Sequence, residues 1–390
     1  MRKPLLVKLN PPVAVPTPPP LLYTDTHASA DLLYFGRVAV HDPFLAFGTT
    51  DGRKVTVQSA LEFGRVKRTG AFDEVLPLEE WRERARREHG PKAGPAELIA
   101  TVAKAYRLRA FRIPDDFPAA LYVRLAKLGL HLTFAGGALF PERELKTKAE
   151  VAAIREGNRL AAVGFTAAEK ILRAARIKGR TLVHAGQVVT SESLRFAIEV
   201  AIKEQGGEAR DTIVAGGDQA CDPHERGTGP LRPHELIIID IFPRHLASGY
   251  HGDMTRTYLK GKPRAVQARL VETVFDAQQA ALGAIRAGVD GQDVHALVNR
   301  VFADAGYETR RHERGAVGFI HGTGHGLGLA IHEPPRLSLV SSRLQAGAVV
   351  TVEPGLYYPG IGGCRWEDVV QVTKGAARLL SEHPYNWIIR

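Results

Sequence analysis

The sequence predicts an α+β fold in two domains, and three observations predict it. Its 390 residues exceed what one ordinary hydrophobic core serves. In the C-terminal part, long helical stretches are grouped with antiparallel strand candidates, whereas short strands and helices alternate before it. The texture changes near Pro141. The expected division is a proline-rich arm over 1–21, a small α/β domain over 22–142 and a larger α+β domain over 143–390.

In chain order, the prolines between 11 and 20 exclude helix and interior strand, so they read as an extended surface arm. Leu32–Phe35, Phe44–Phe47 and Lys54–Val57 are strand candidates, the last entered through an Asp51-Gly52 turn. Glu79–Glu88 interleaves acids and bases as a solvated helix face does. Ala96–Arg107 has helical composition, and Leu130–Phe134 resembles a strand. Beyond Pro141, a long helix is expected over Lys146–Arg176. A second follows Thr190-Ser191, with Leu194, Ile198 and Ile202 on one face, and a third starts after Lys262-Pro263 and ends at Gly288. Between and after them lie strand candidates Asp211–Val214, Leu236–Ile241, Tyr250–Leu259, Val349–Val352 and Val369–Val372.

Composition narrows the function. Hydrophobic residues at 44% and charged residues at 24% suit a soluble globular chain. The formal charge of +10 is scattered among acids, so nucleic acid is not the expected partner. No apolar run approaches a membrane span, no leader is apparent, and a cytoplasmic setting is expected. Cys221 and Cys364 make no disulfide framework and read as inert thiols. His-Glu-x-x-His, Gly-x-Ser-x-Gly and phosphate-loop motifs are missing, and Gly322–Gly328 lacks dinucleotide spacing.

The chemistry concentrates in His321–Glu333, where glycine alternates from Gly322 to Gly328 and three histidines stand close together. Glycine lets backbone and ligand approach closely, and histidine is the commonest metal ligand. Four carboxylates accompany this stretch: Asp240, Asp253, Glu353 and Glu367. Asp240 ends an apolar run, and Asp253 follows thirteen positions later. A hairpin turning at Arg244–Ala247 would set them directly opposite, with Cβ atoms about 4.5–5.5 Å apart. Glu353 ends Val349–Val352 and Glu367 follows fourteen positions later, opposed if the hairpin centres on Pro359-Gly360-Ile361. Acids so close repel unless a cation lies between them. Two acidic pairs and one histidine suit two adjacent metal ions.

At these residues the chain resembles the pita-bread metallopeptidases, in the branch of Xaa-Pro dipeptidases (prolidases) and aminopeptidase P. The resemblance rests on Pro223–Glu225, Asp240 with Gly249–Thr257, His321–Gly328, His332–Pro335, Thr351–Tyr357 and Arg365–Asp368. It implies a pita-bread (creatinase/aminopeptidase-like) catalytic domain behind a creatinase-type N-terminal domain. It also implies two divalent ions (Mn, Co, Zn or Fe, with Mn favoured). Asp240 would chelate one ion, Asp253 and Glu367 would bridge both, and His325 and Glu353 would complete the second. A bridging hydroxide would attack the bond preceding proline, with Glu353 handling its proton and His224 and His332 donating to the oxyanion. His321 and Arg365 would line the substrate pocket, while Tyr250 and Thr255 would support the ligands. The implied substrate is a peptide with proline second, and the implied assembly is a homodimer. His245, His251 and His312 read as surface residues. Two departures stand out: a longer loop at Phe242–Ala247, and Ala330 where a polar residue is usual. Two other readings remain: a same-fold metal-dependent hydrolase or lyase acting on a non-peptide, and a non-catalytic binding protein.

Overall fold

The computed structural model describes residues 17–313 and 315–390, and the chain divides after Pro141 into two compact units. Most of the expected arm lies outside the described residues, as does the side chain of His312. By Leu21 the chain is already a strand.

In the first unit, Leu21–Thr24, Phe44–Gly48 and Lys54–Gln58 are antiparallel neighbours, and Glu74–Pro77 joins in parallel. Leu32–Phe35 is not a strand. It belongs to helix α1 (Ala30–Gly36), whose N-cap Ser29 accepts the Leu32 N–H at 3.1 Å. Four consecutive apolar residues carry no period of their own, so the cap and first-turn Asp31 decide for helix. Helices α2 (Ala60–Thr69), α3 (Leu78–His89), α4 (Pro95–Ala105) and α5 (Ala119–Lys127) follow. The last connects a parallel pair, Ala110–Ile113 and His131–Phe134.

The second unit opens with helix α6 (Lys148–Ala174), started by a capping box between Thr147 and Glu150. Helix α7 (Ser191–Glu204) is capped by Thr190. Leu160, Phe165 and Leu172 of α6 and Leu194, Ile198 and Ile202 of α7 pack on Ile237, Ile239 and Ile241. Helices α8 (Ala265–Ala284) and α9 (Gly291–Asp304) cover Val350, Val352 and Val370 in the same way.

Two sheets thus have helix-covered faces. One runs Ile213–Gly216, Leu236–Ile241, Met254–Lys260, Ile388–Ile389; the other runs Glu333–Leu337, Gly324–Gly326, Val349–Val352, Asp368–Gln371, Arg378–Leu379. Strand alternation then settles where the charges go. With Ile239 and Ile241 against helices, Asp240 points to the opposite face, and with Val350 and Val352 against helices, so do Thr351 and Glu353. The strand expected from Tyr250 begins only at Met254, because the preceding residues run against α6.

Candidate metal centre

The ladder places Asp240 across from Thr255 and Ile241 across from Met254. Asp253 is therefore diagonal to Asp240 on the same face, not directly opposite as expected. The reason is the long connection, where Arg244–His245 leaves to pair with Gly207–Glu208. At the other pair, Val352 opposes Asp368 as the last rung, so Glu353 and Glu367 are the next positions along. The Gly355–Tyr358 and Gly362–Arg365 strands close beyond them, turning at Pro359-Gly360-Ile361 with Gly360 at φ 83°.

The glycine-rich segment is a strand, Gly324–Gly326, between Glu333–Leu337 and Val349–Val352. A Cβ on Gly324 would come within 2.0 Å of the Thr351 carbonyl oxygen, so only glycine fits there. That close approach presents His325. Its Nδ1 faces the Gly326 carbonyl at 3.0 Å, and a carbonyl can only accept. The proton therefore sits on Nδ1, and Nε2 turns a lone pair to Glu353 Oε1 at 3.3 Å and Asp253 Oδ2 at 3.7 Å. Burial holds the imidazole pKa down to about 4, so it is neutral.

Single ligand atoms from Asp253, His325 and Glu367 all lie within 4.8 Å of one another. Burial, then the neighbouring acids, push the Asp253 and Glu367 carboxyls well above their usual range. Burial pushes Glu353 up to about 7. Asp240 Oδ2 accepts from Arg365 Nη2 at 2.7 Å, while its Oδ1 is buried with no hydrogen-bond partner among the described residues. An orphaned carboxylate oxygen, three mutually repelling acids and one free imidazole lone pair suit divalent cations.

The surroundings orient these groups. Thr255 Oγ1 donates to Glu367 Oε2 at 2.8 Å, and Thr351 Oγ1 donates to Glu353 Oε1 at 3.3 Å. Arg365 is buried, with Nε on Thr255 at 3.1 Å and Nη1 on the Tyr357 hydroxyl at 2.9 Å. The carboxylate it meets is the protein's own Asp240. His321 Nδ1 faces the Gly322 carbonyl at 2.7 Å, so its Nε2 must accept from Tyr357 at 2.8 Å. Burial lowers its pKa to about 3.

The four acids, His325, His321 and Arg365 line a cavity of about 920 Å³ together with His224 and His332 and apolar Ile213, Phe242, Ile320 and Ile331. His224 and His332 are exposed there, and the His332 ring stands edge-on to His325 with centroids 4.3 Å apart. Tyr250 lies elsewhere, its hydroxyl donating to Glu150 of α6 at 2.5 Å. His251 is not a surface residue: its Nδ1 is buried and burial lowers its pKa to about 4. Cys364 is buried, its thiol pushed up to about 12, and no disulfide joins it to Cys221. Tyr357, Thr351 and Asn158, whose Oδ1 accepts the Asp253 N–H at 2.9 Å, were not anticipated. For Thr351, the one available signal was its alternation with Glu353.

Residues 152–374 match metallopeptidase family M24. An Xaa-Pro dipeptidase of Pyrococcus furiosus is 32% identical over 222 residues, 55% of this chain and 61% of that one. The chain thus spans less than two thirds of that relative's length. A probable dipeptidase, PepE, of Mycobacterium bovis is 30% identical over 341 residues, 87% of this chain and 83% of that one. The crystal structure of an X-Pro aminopeptidase from Thermotoga maritima aligns with a TM-score of 0.79 at 20% identity, covering 96% of this chain and 98% of that one. The α+β architecture is the pita-bread fold of these peptidases. From its sequence and its fold together, the chain belongs to metallopeptidase family M24.

Proposed function

We propose that this metallopeptidase hydrolyses the peptide bond preceding proline, as an Xaa-Pro dipeptidase or an aminopeptidase P, using two divalent ions. The observation that carries the reading is the gathering of Asp253, His325 and Glu367 beside an Asp240 oxygen with no hydrogen-bond partner among the described residues, in a cavity large enough for a small peptide. The names of the relatives support the substrate class. In this reading residues 22–142 form a creatinase-type N-terminal domain and 143–390 the catalytic domain, in a cytoplasmic homodimer.

Asp240 would hold one ion, Asp253 and Glu367 would be shared, and His325 with Glu353 would complete the second position. When bound, such a pair supplies hydroxide near neutral pH and polarises the scissile carbonyl, with Mn favoured over Co, Zn and Fe. Glu353 then moves the nucleophile's proton. His332 and His224, exposed at the cavity, donate N–H groups to charge developing on the carbonyl oxygen. Arg365 orients Asp240, and His321 contributes shape, since Tyr357 and the Gly322 carbonyl engage both of its ring nitrogens.

The test is hydrolysis of Gly-Pro beside a longer Xaa-Pro-Xaa peptide by chelator-treated protein with Mn, Co or Zn restored. Metal-dependent cleavage of the dipeptide alone makes it a dipeptidase, and cleavage of the longer peptide an aminopeptidase P. Cleavage of neither, with two ions bound, overturns the substrate and moves the reading to a non-peptide.

A further inference from the structure

Behind the carboxylates lies a polar cluster that the proposed chemistry does not use. Arg256 and Asp368 are each 0% exposed, and they pair at 3.0 Å. Asp368 also accepts from Ser381 Oγ at 2.7 Å, Gln278 Nε2 at 2.8 Å and the Tyr385 hydroxyl at 2.7 Å. Arg256 Nη2 donates in addition to the His383 carbonyl at 2.9 Å, and the guanidinium packs 4.7 Å from the Tyr385 ring.

The remaining contacts reach the site itself. Arg256 Nη1 donates to the Glu367 carbonyl at 2.6 Å and to the Thr255 carbonyl at 3.0 Å. One guanidinium thus ties the Met254–Lys260 strand to the residue just before the Asp368–Gln371 strand of another sheet. Each clamped residue follows or forms part of the carboxylate set: Thr255 stands two residues after Asp253, and Glu367 is itself a member. A third bond, from the Glu367 N–H to the Thr255 carbonyl at 3.2 Å, lies between them.

Stability alone does not account for the cluster. A buried ion pair is often no better for stability than apolar residues of similar volume in place of both partners. A rigid fork does what an apolar side chain cannot: it fixes the spacing of two backbones. We propose that Arg256, held by Asp368, is a positioning residue that sets Glu367 against Asp253 so that both carboxylates can be shared by two cations. This rests on the two-ion reading above.

Arg256→Lys keeps the charge, yet one ammonium cannot reach Asp368 and both carbonyls in the same geometry. Full-length wild type and variant, chelator-treated, are titrated with Mn(II) by calorimetry and followed by EPR, with metal-free melts alongside. The expected result is a cooperative metal-free melt, second-ion affinity lower by about tenfold or more, and loss of the spin-coupled pair signal. A merely structural role would lower the melt and leave the coupling intact. If Arg256→Lys fails to fold, Tyr385→Phe, which deletes one donor to Asp368, takes its place, and a several-fold weaker second ion is expected. Two ions bound with wild-type affinity and coupling in the folded variant overturn the inference alone. A wild type that binds fewer than two ions overturns the two-ion reading, and this inference with it.

Discussion

His325 keeps its Nε2 lone pair free beside the carboxylates, available to a cation, because a backbone carbonyl has already claimed its other nitrogen. His321 is fixed in the same manner, the Gly322 carbonyl claiming its Nδ1 and leaving Nε2 to accept from Tyr357. Glu353 has the most to lose: Glu353→Gln should leave a folded protein whose turnover falls at least about a hundredfold, since ligation and proton handling both suffer. Near-normal turnover in metal-supplemented buffer would remove Glu353 from the reaction. Tyr357→Phe breaks the relay from Arg365 to His321 and leaves a donor and an acceptor buried without partners. It should cost about 1–3 kcal/mol in denaturant melts, and an unchanged midpoint would show that water replaces the hydroxyl. Asp240 and Glu353 were legible in the sequence because each ends or follows an apolar run, where an uncompensated charge is costly, and Asp253 and Glu367 were reached by counting thirteen and fourteen positions on. Tyr357 was not, because its partner His321 lies 36 residues away and no local pattern links them.

Helix α6 does more than cover a sheet. A Cβ at Gly157 would come 2.4 Å from the Gly252 nitrogen, so helix and loop meet backbone to backbone beside Asp253. Gly157→Ala should force that loop outward, destabilising by about 1–3 kcal/mol and weakening metal binding. Gly283→Ala in α8, where a Cβ meets nothing within 4 Å, is the neutral comparison. If the two variants melt and bind alike, the close approach does not hold Asp253 in place. Helices of many turns, α6 to α8, could be read from apolar period and caps. One short apolar run could not: Leu32–Phe35 turned on a single cap. The strand register at Asp240 turned on Arg244–His245 pairing with Gly207–Glu208, a contact that no hairpin count includes.

Across the whole molecule, the crowded acids tie stability to pH. In the folded chain Glu353 keeps its proton to about 7, and Asp253 and Glu367 are raised too, whereas unfolded glutamates release theirs near their ordinary value of about 4.3. Above those ordinary values the folded state holds these protons after the unfolded chain has released them, which lowers stability as pH rises, whereas below about 6.5 the buried His251, His321 and His325, neutral in the fold and protonated when unfolded, act the other way. Chelator-treated protein should therefore lose Tm from about pH 6.5 to 8, where the histidines no longer oppose the acids, and added Mn(II) should restore more of it at the upper end. A Tm that rises across this range without metal would contradict the assignment. The two acid pairs span only thirteen and fourteen positions, so each closes at small entropic cost before distant parts of the chain meet. During folding each pair is then a half-built chelate whose charges resist its own closure. A cation caught by one half becomes a template on which the other assembles. Refolding started in Mn(II) should give a higher native yield than refolding with Mn(II) added afterwards, and equal yields would separate metal capture from folding.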